Sequence, residues 1–276
     1  MQTRPKIRVP AGACDTHMHI YDDRYPPSEK AWLFPENFLV EDYRKVQAAL
    51  GLERTVIVQP VTYGFDNRCT LDAVRAFGDA ARAVVTVPTT TTDEQLADYW
   101  DQGARGLRFH QMRGGMMHWD ELPMVATRIK ATDWHVQVQL DGMELPRYEA
   151  LIADLPCTVV IDHMGRYSGQ VDTAHPAFQS LLRLARRENV FVKLSGAYHV
   201  SRQGKPDYRD TWPLGRALVE VSTERLLWGS DWPHPTEDEA TMPDEGRLLD
   251  LLADFGLTEH GVAAVLSHNP ARLYGF

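Results

Sequence analysis

The sequence predicts one (β/α)₈ barrel that occupies the whole chain, residues 1–276. Eight short apolar runs alternate with amphipathic segments, a pattern typical of parallel βα units. A length of 276 residues is common for a single α/β barrel domain. No glycine-rich phosphate turn follows the first strand, which favours the barrel over an open, doubly wound sheet.

The predicted elements follow one another in chain order. Strands are expected at residues 14–20, 55–59, 84–87, 106–110, 135–140, 158–163, 190–195 and 226–231. Apolar residues at helical spacing mark the segments between them, and two last helices are expected at 246–255 and 259–267. Segment 21–38, rich in proline, acidic and aromatic residues, is predicted to be a loop over the carboxyl ends of the strands, where barrel enzymes carry their active sites.

Two histidines stand two residues apart in the first strand. Strict alternation would place Asp15, His17 and His19 on one face, opposite Cys14 and Met18. Burying two imidazoles without partners is costly, so we interpret the pair as functional.

Two later strands also end in polar residues, His163 and Asp231. If the carboxyl ends of the strands are level, His17, His19, His163 and Asp231 meet at one point. An alternative role for Asp231 is to cap the next helix. The proline-rich turn 232–235 makes this less favourable, because no helix is expected to begin directly after Asp231. The alternative for His163 is a loop histidine bonded to the backbone.

Composition excludes several function classes. The net charge of −9 argues against a nucleic-acid partner, although a local basic pocket remains compatible with an anionic small molecule. The three cysteines form no CxxC pair, which fits a reducing cytoplasm, and no run approaches the roughly 20 apolar residues of a membrane span. A soluble cytoplasmic protein without a membrane partner is expected; the sequence does not give its oligomeric state.

Segments 15–19, 103–109, 161–166, 228–235 and 269–274 together resemble the amidohydrolase superfamily. Within it, the chain is most similar to the lactonase branch, which includes 2-pyrone-4,6-dicarboxylate lactonases, sugar-acid lactonases and galactarolactone isomerases. The resemblance implies a hydrolase of carbohydrate or aromatic catabolism that opens the ring of a small anionic lactone. It also implies that Asp231 activates water while His17, His19 and His163 polarise the lactone carbonyl, chemistry that suits these side chains.

The resemblance further implies substrate contacts. Arg108 and Arg166 match positions that bind carboxylates, which a guanidinium grips through paired hydrogen bonds. Gln139 and Val61 replace a tyrosine and a serine of the pyrone lactonases, and Arg113 is displaced by one residue, so a pyrone dicarboxylate and a sugar-acid lactone both stay open. The candidate substrate contacts are Arg108, Arg166, Tyr63, Arg113 and Gln139.

A metal is the remaining question about the site. Three imidazoles and one carboxylate suit a single zinc ion, with His17, His19, His163 and Asp231 as ligands. The fifth strand, 135–140, carries no late inward histidine and no lysine that would bridge two metals. Because the branch includes metal-independent members, we expect no required metal, with one zinc as the alternative. Alternative functions are a lactone isomerase, a zinc-dependent decarboxylase and a non-catalytic barrel.

Overall fold

Eight parallel strands pair in chain order and curve into a (β/α)₈ barrel in the computed structural model, which describes residues 3–238 and 240–276. The strands are β1 (Cys14–Met18), β2 (Arg54–Val58), β3 (Ala81–Val85), β4 (Ala104–His110), β5 (His135–Gln139), β6 (Thr158–Ile161), β7 (Val190–Lys193) and β8 (Leu226–Leu227). The predicted fold class is confirmed. Residues 1, 2 and 239 of the predicted domain lie outside the described residues.

Helices follow the strands on the outside of the barrel. They are α1 (Val40–Leu50), α2 (Arg68–Phe77), α3 (Asp93–Asp101), α4 (Leu122–Ile129), α5 (Leu145–Ala153), α6 (Pro176–Ala185), α7 (Ala197–Val200), α8 (Trp212–Val221), α9 (Glu245–Asp254), α10 (Glu259–Ala263) and α11 (Asn269–Tyr274). Gly51 ends α1 with a left-handed φ of 75°, as its position in the sequence predicts. Within the described residues, none of these helices combines the length and apolarity of a membrane span.

Backbone hydrogen bonds between β1 and the segment after β8 close the barrel. Thr16 N donates to Trp228 O over 3.0 Å, and His19 N donates to Trp232 O over 2.9 Å. The Asp231 amide donates to His17 O over 2.7 Å, so closure of the barrel also brings Asp231 beside the histidines of β1.

A bulge in β1 overturns part of the predicted alternation. Asp15 pairs with Thr55 and Met18 with Ile57, so β1 holds one extra residue there. Asp15 turns outward and accepts a hydrogen bond from Tyr43 of α1 over 2.8 Å. The prediction that Asp15 shares a face with His17 and His19 is therefore wrong.

The core has an outer and an inner part. The larger cluster lies between strands and helices, whereas a smaller one fills the barrel interior with Cys14, Val56, Val160 and Phe191. Tyr274 of α11 joins the inner cluster. This apolar floor leaves the polar residues of the interior at the carboxyl ends of the strands.

Candidate active site

Three imidazoles surround one carboxylate oxygen at the carboxyl end of the barrel. The Nε2 atoms of His17, His19 and His163 lie 3.5, 3.4 and 3.8 Å from Asp231 Oδ1. All four residues are buried, from 0% exposed for His17 to 6% for Asp231. The structure thus brings together the four residues that the sequence predicts to meet.

Unusual backbone conformations aim two of these side chains. Asp231 has a φ of 64° and His163 a φ of 54°, both left-handed. Such angles are uncommon outside glycine and persist where the surrounding structure imposes them, often at functional sites. Each residue turns the chain just after a strand, which directs its side chain into the barrel mouth.

A polar network that the sequence did not reveal supports the histidines from below. Lys193, at the end of β7, is fully buried, and its Nζ lies 3.2 Å from His17 Nδ1 and 3.3 Å from Asp162 Oδ1. Gln137 accepts from Lys193 over 2.8 Å and donates to Asp162 over 3.0 Å. The sequence offered two signals for this network: Lys193 lies within an apolar strand, and Asp162 comes directly after another one.

This network fixes the charge state of His17. Burial and the nearby Lys193 ammonium lower the pKa of His17 to about 3, so its ring is neutral near pH 7. Burial alone would raise the pKa of Asp162, but the Lys193 ammonium and the hydrogen bond with His17 outweigh it, so this pKa lies well below its usual range. The partner of Nδ1 decides the tautomer of the neutral His17 ring. If Lys193 donates to Nδ1, the hydrogen is on Nε2, which faces the site. If Nδ1 donates to Asp162, Nε2 has a lone pair instead.

His19 and His163 are also oriented by contacts to their Nδ1 atoms, on the side of each ring away from Asp231. His19 Nδ1 lies 2.7 Å from Val58 O and must donate, because a carbonyl oxygen only accepts. His163 Nδ1 lies 2.9 Å from Ser195 Oγ. Burial lowers the pKa of His163 well below its ordinary value, so this ring is also neutral.

Three of the four residues, His17, His19 and Asp231, lie close enough together to hold one metal ion, and His163 forms a second such group with His17 and Asp162. Ligands of tetrahedral zinc with bonds near 2.0 Å are separated by roughly 3.3 Å, comparable with the distances around Asp231 Oδ1. His17 Nε2 is buried without a hydrogen-bond partner among the described residues. The bond from His19 to a backbone carbonyl is the support that metal-binding histidines normally have.

The other oxygen of Asp231 is held by α7, a helix that the sequence analysis missed. Tyr198 Oη donates to Asp231 Oδ2 over 2.5 Å, and His199 Nε2 lies 3.2 Å from the same oxygen. Burial alone would raise the pKa of Asp231, but the imidazoles of His163, His19 and His199 outweigh it. The pKa therefore lies well below its usual range, and Asp231 is ionised. A helix of four residues spans barely one turn, so apolar spacing cannot reveal it.

A cavity of about 220 Å³ opens above Asp231. The described residues lining it include four predicted substrate contacts, Arg108, Arg113, Gln139 and Arg166, together with His19 and Asp231. Trp32 and Leu33 also line it, so the loop 21–38 contributes a wall, as predicted. The site is thus a small pocket with several guanidinium groups.

Arg108 and Gln139 are locked together at the cavity floor. Arg108 Nη2 donates to Gln139 Oε1 over 2.6 Å, and Nη1 donates to Gln59 O over 2.5 Å. His110, which the sequence analysis did not single out, also lines the cavity and lies 3.3 Å from Gln139 Oε1. These bonds use two of the five N–H groups of Arg108 and leave others for a ligand.

Tyr63 is placed apart from the other candidates. Its hydroxyl accepts from Asp22 N over 2.7 Å and donates to Asp22 O over 3.1 Å. Its ring lies 6.4 Å from that of Tyr21, which does line the cavity. The structure therefore gives Tyr63 a role in holding the loop, and does not bring it to the other predicted substrate contacts.

A cluster of histidines and an aspartate at the carboxyl end of the strands lies where (β/α)₈ enzymes carry their active sites. Residues 14–276 match the amidohydrolase family, and the chain belongs to that family. It is 34% identical to a 2-pyrone-4,6-dicarboxylate hydrolase of Comamonas testosteroni, over 99% of this chain and 93% of that protein. It is 35% identical to a 4-sulfomuconolactone hydrolase of Hydrogenophaga intermedia, over 97% and 90%. A D-galactarolactone isomerase of Agrobacterium fabrum is 34% identical, over 99% and 94%.

Solved structures agree on the fold. An apo crystal structure from Agrobacterium tumefaciens superposes with a TM-score of 0.92 at 33% identity, covering 99% of this chain and 98% of that one. An amidohydrolase from Burkholderia multivorans with bound zinc has a TM-score of 0.74 at 22% identity, covering 96% and 100%. At that identity it shares the fold, and it shows that a family member binds zinc.

Proposed function

We propose that this chain hydrolyses a small carboxylated lactone, with Asp231 activating water and the histidine cluster polarising the carbonyl. The chain is an enzyme that acts on a lactone ester bond, since it belongs to the amidohydrolase family and its relatives with such activities match nearly its full length. The substrate is a 2-pyrone-4,6-dicarboxylate-like or sugar-acid lactone. The observation that carries the residue roles is the convergence of three imidazoles on the ionised Asp231.

Asp231 is the general base in the proposed reaction. Tyr198 and His199 hold its Oδ2, whereas Oδ1 lies near the Nε2 atoms of the three other histidines, and Asp231 lines the cavity. A water beside Oδ1 gives its proton to the carboxylate as its oxygen bonds to the acyl carbon. Ring opening breaks the bond from the acyl carbon to the ring oxygen, and the leaving oxygen takes the proton that Asp231 received from water, which restores the carboxylate.

The imidazoles stabilise the negative charge that develops on the carbonyl oxygen. His17 donates through Nε2 when Lys193 donates to its Nδ1, and His163 donates through Nε2 when Ser195 donates to its Nδ1. Buried donors of this kind act strongly, because water does not compete with them. Zinc, when bound, would be held by His17, His19, His163 and Asp231, and would supply carbonyl polarisation and acidification of water.

Two arginines supply the proposed grip on the substrate carboxylate. Arg108 is buried at the floor of the cavity and Arg166 lies half-buried at its side. A charge-assisted hydrogen bond to a carboxylate is worth about 1.5–3 kcal/mol. Arg113 and Gln139 complete the polar lining, and Gln139 also fixes the guanidinium of Arg108.

A lactone isomerase is the second candidate. The galactarolactone isomerase matches this chain as well as the hydrolases do. In that reaction a substrate hydroxyl would give its proton to Asp231 in place of water, and the same imidazoles would polarise the carbonyl. The two functions differ in their product, because hydrolysis releases one acid proton per turnover and isomerisation releases none.

The test is a lactone panel read with a pH indicator, for the wild type and for Asp231→Asn. The amide matches the carboxylate in shape but cannot take up the proton, so turnover should be lost while substrate binding stays. Asp120→Asn is the control, because Asp120 is an exposed aspartate outside the cavity lining. Activity of Asp231→Asn equal to wild type would remove Asp231 from the mechanism.

A further inference from the structure

A chain of three side chains leads from Asp231 to α9. Tyr198 donates its only hydroxyl hydrogen to Asp231 Oδ2, since a carboxylate can only accept. His234 Nδ1 lies 3.0 Å from Tyr198 Oη, and the tyrosine hydrogen is already used. His234 must therefore donate through Nδ1 to the hydroxyl oxygen.

The far end of this chain lies against a carboxylate. His234 Nε2 lies 3.4 Å from Glu245 Oε1, and both side chains are buried, at 0% and 8% exposure. His234 Nε2 has no hydrogen-bond partner among the described residues, so Glu245 restrains the ring by close contact. Glu245 is the first residue of α9, so the relay ends on a ten-residue helix.

Backbone geometry ties His234 to Asp231 a second time. Both residues have left-handed backbones, with φ of 58° and 64°, and His234 N donates to Asp231 O over 3.1 Å. One tight turn thus presents both the carboxylate and the imidazole that supports its tyrosine partner. A histidine in this conformation is uncommon and indicates that the surrounding contacts impose it.

We propose that Tyr198, His234 and Glu245 form a positioning relay that holds Asp231 with Oδ1 toward the reacting atoms. The inference rests on the proposed role of Asp231 as the base. The described residues that line the cavity do not include these three, so they act on the carboxylate and not on the substrate. A catalytic group must be held within about 0.5 Å of its productive position, and Tyr198 supplies that restraint.

The first test compares Tyr198→Phe with Tyr208→Phe. Loss of the hydroxyl at Tyr198 removes the shorter of the two contacts that Tyr198 and His199 make with Asp231 Oδ2 and loosens the carboxylate, so kcat should fall about 10- to 100-fold while KM stays within about twofold. Tyr208 is the matched control, because it is also buried and its hydroxyl has no hydrogen-bond partner among the described residues. An unchanged kcat in Tyr198→Phe, or a raised KM with unchanged kcat, would overturn the relay.

The second test separates positioning from structure through His234. His234→Asn retains an amide donor near Nδ1 and tolerates a left-handed backbone, so it should keep kcat within about threefold of wild type. His234→Leu removes the donor and should lose about as much as Tyr198→Phe. The double variant Tyr198→Phe/His234→Leu should be no slower than Tyr198→Phe alone, because His234 acts through the tyrosine.

Additive losses in the double variant would show that His234 acts independently and would overturn the relay. Equal losses in His234→Asn and His234→Leu, with matching falls in melting temperature, would show a structural role and would also overturn it. Failure of the relay is distinguishable from failure of the proposed function. Inactive Asp231→Asn together with fully active Tyr198→Phe rejects the relay alone, whereas fully active Asp231→Asn rejects the proposed base.

Discussion

His135 makes the stability of the barrel depend on pH, and His135→Leu tests this. The residue begins β5, is fully buried, and has no hydrogen-bond partner for either ring nitrogen among the described residues. Burial first, and the charge of Lys193 second, lower its pKa to about 3 from the ordinary 6.5. The folded protein therefore keeps this ring neutral where the unfolded chain protonates it.

The sign and size follow from that difference in pKa. Between pH 6.5 and about 3 the unfolded state binds a proton that the folded state does not, so stability falls as pH falls through this window. At pH 4.5 the loss from His135 is about 3 kcal/mol relative to pH 7.5. Leucine does not titrate, so His135→Leu should lose about 3 kcal/mol less stability than wild type between these two pH values.

Urea unfolding of wild type and His135→Leu at pH 7.5 and 4.5 measures this difference. The control is His260→Ala, because this histidine is exposed to solvent. The control should lose as much stability as wild type on acidification. Equal losses in wild type and His135→Leu would refute the reasoning and would mean that His135 has a partner for its proton in the folded state.

Two other predictions concern the substrate and the metal. Arg108→Met and Arg166→Met should each raise KM more than they lower kcat, by about 1.5–3 kcal/mol in binding, because a remote grip is similar in ground and transition states. Steady-state kinetics checks this, and an unchanged KM in both variants would place the substrate anion elsewhere. Activity should also survive exhaustive chelation; near-stoichiometric zinc by elemental analysis, with activity lost on chelation and restored by zinc, would contradict a metal-independent site.

Apolar periodicity was enough to predict the (β/α)₈ barrel, because the fold depends on the order in which apolar runs recur and less on the residues at which each run begins and ends. Those limits were less certain. The third strand was expected at 84–87 but runs from Ala81 to Val85, since residues 81–83 pair with β2, and Ala83 also with β4, despite their weak apolar signal. The eighth was expected to reach Asp231, but regular pairing ends at Leu227.

The site was predictable where a side chain follows a strand and hidden where it depends on a tertiary contact. His17, His19, His163 and Asp231 all lie at strand ends, which parallel pairing brings level. The bulge that turns Asp15 outward leaves no mark in an alternating pattern. Tyr198, in a four-residue helix, and the buried Lys193 become significant only when the fold places them against Asp231 and His17.

The charges that line the cavity affect product release differently in the two proposed reactions, hydrolysis and isomerisation. The chain carries −9 overall, yet among the described residues that line the cavity three arginines, Arg108, Arg113 and Arg166, face one carboxylate, Asp231, so the pocket attracts an anion at short range. In the proposed hydrolysis a new carboxylate forms at the acyl carbon, beside Asp231. Two like charges about 4 Å apart repel by about 4 kcal/mol near a protein surface, once Asp231 has lost its proton again. This repulsion favours release of an opened acid, whereas an isomerised lactone gains no charge and would leave without that assistance.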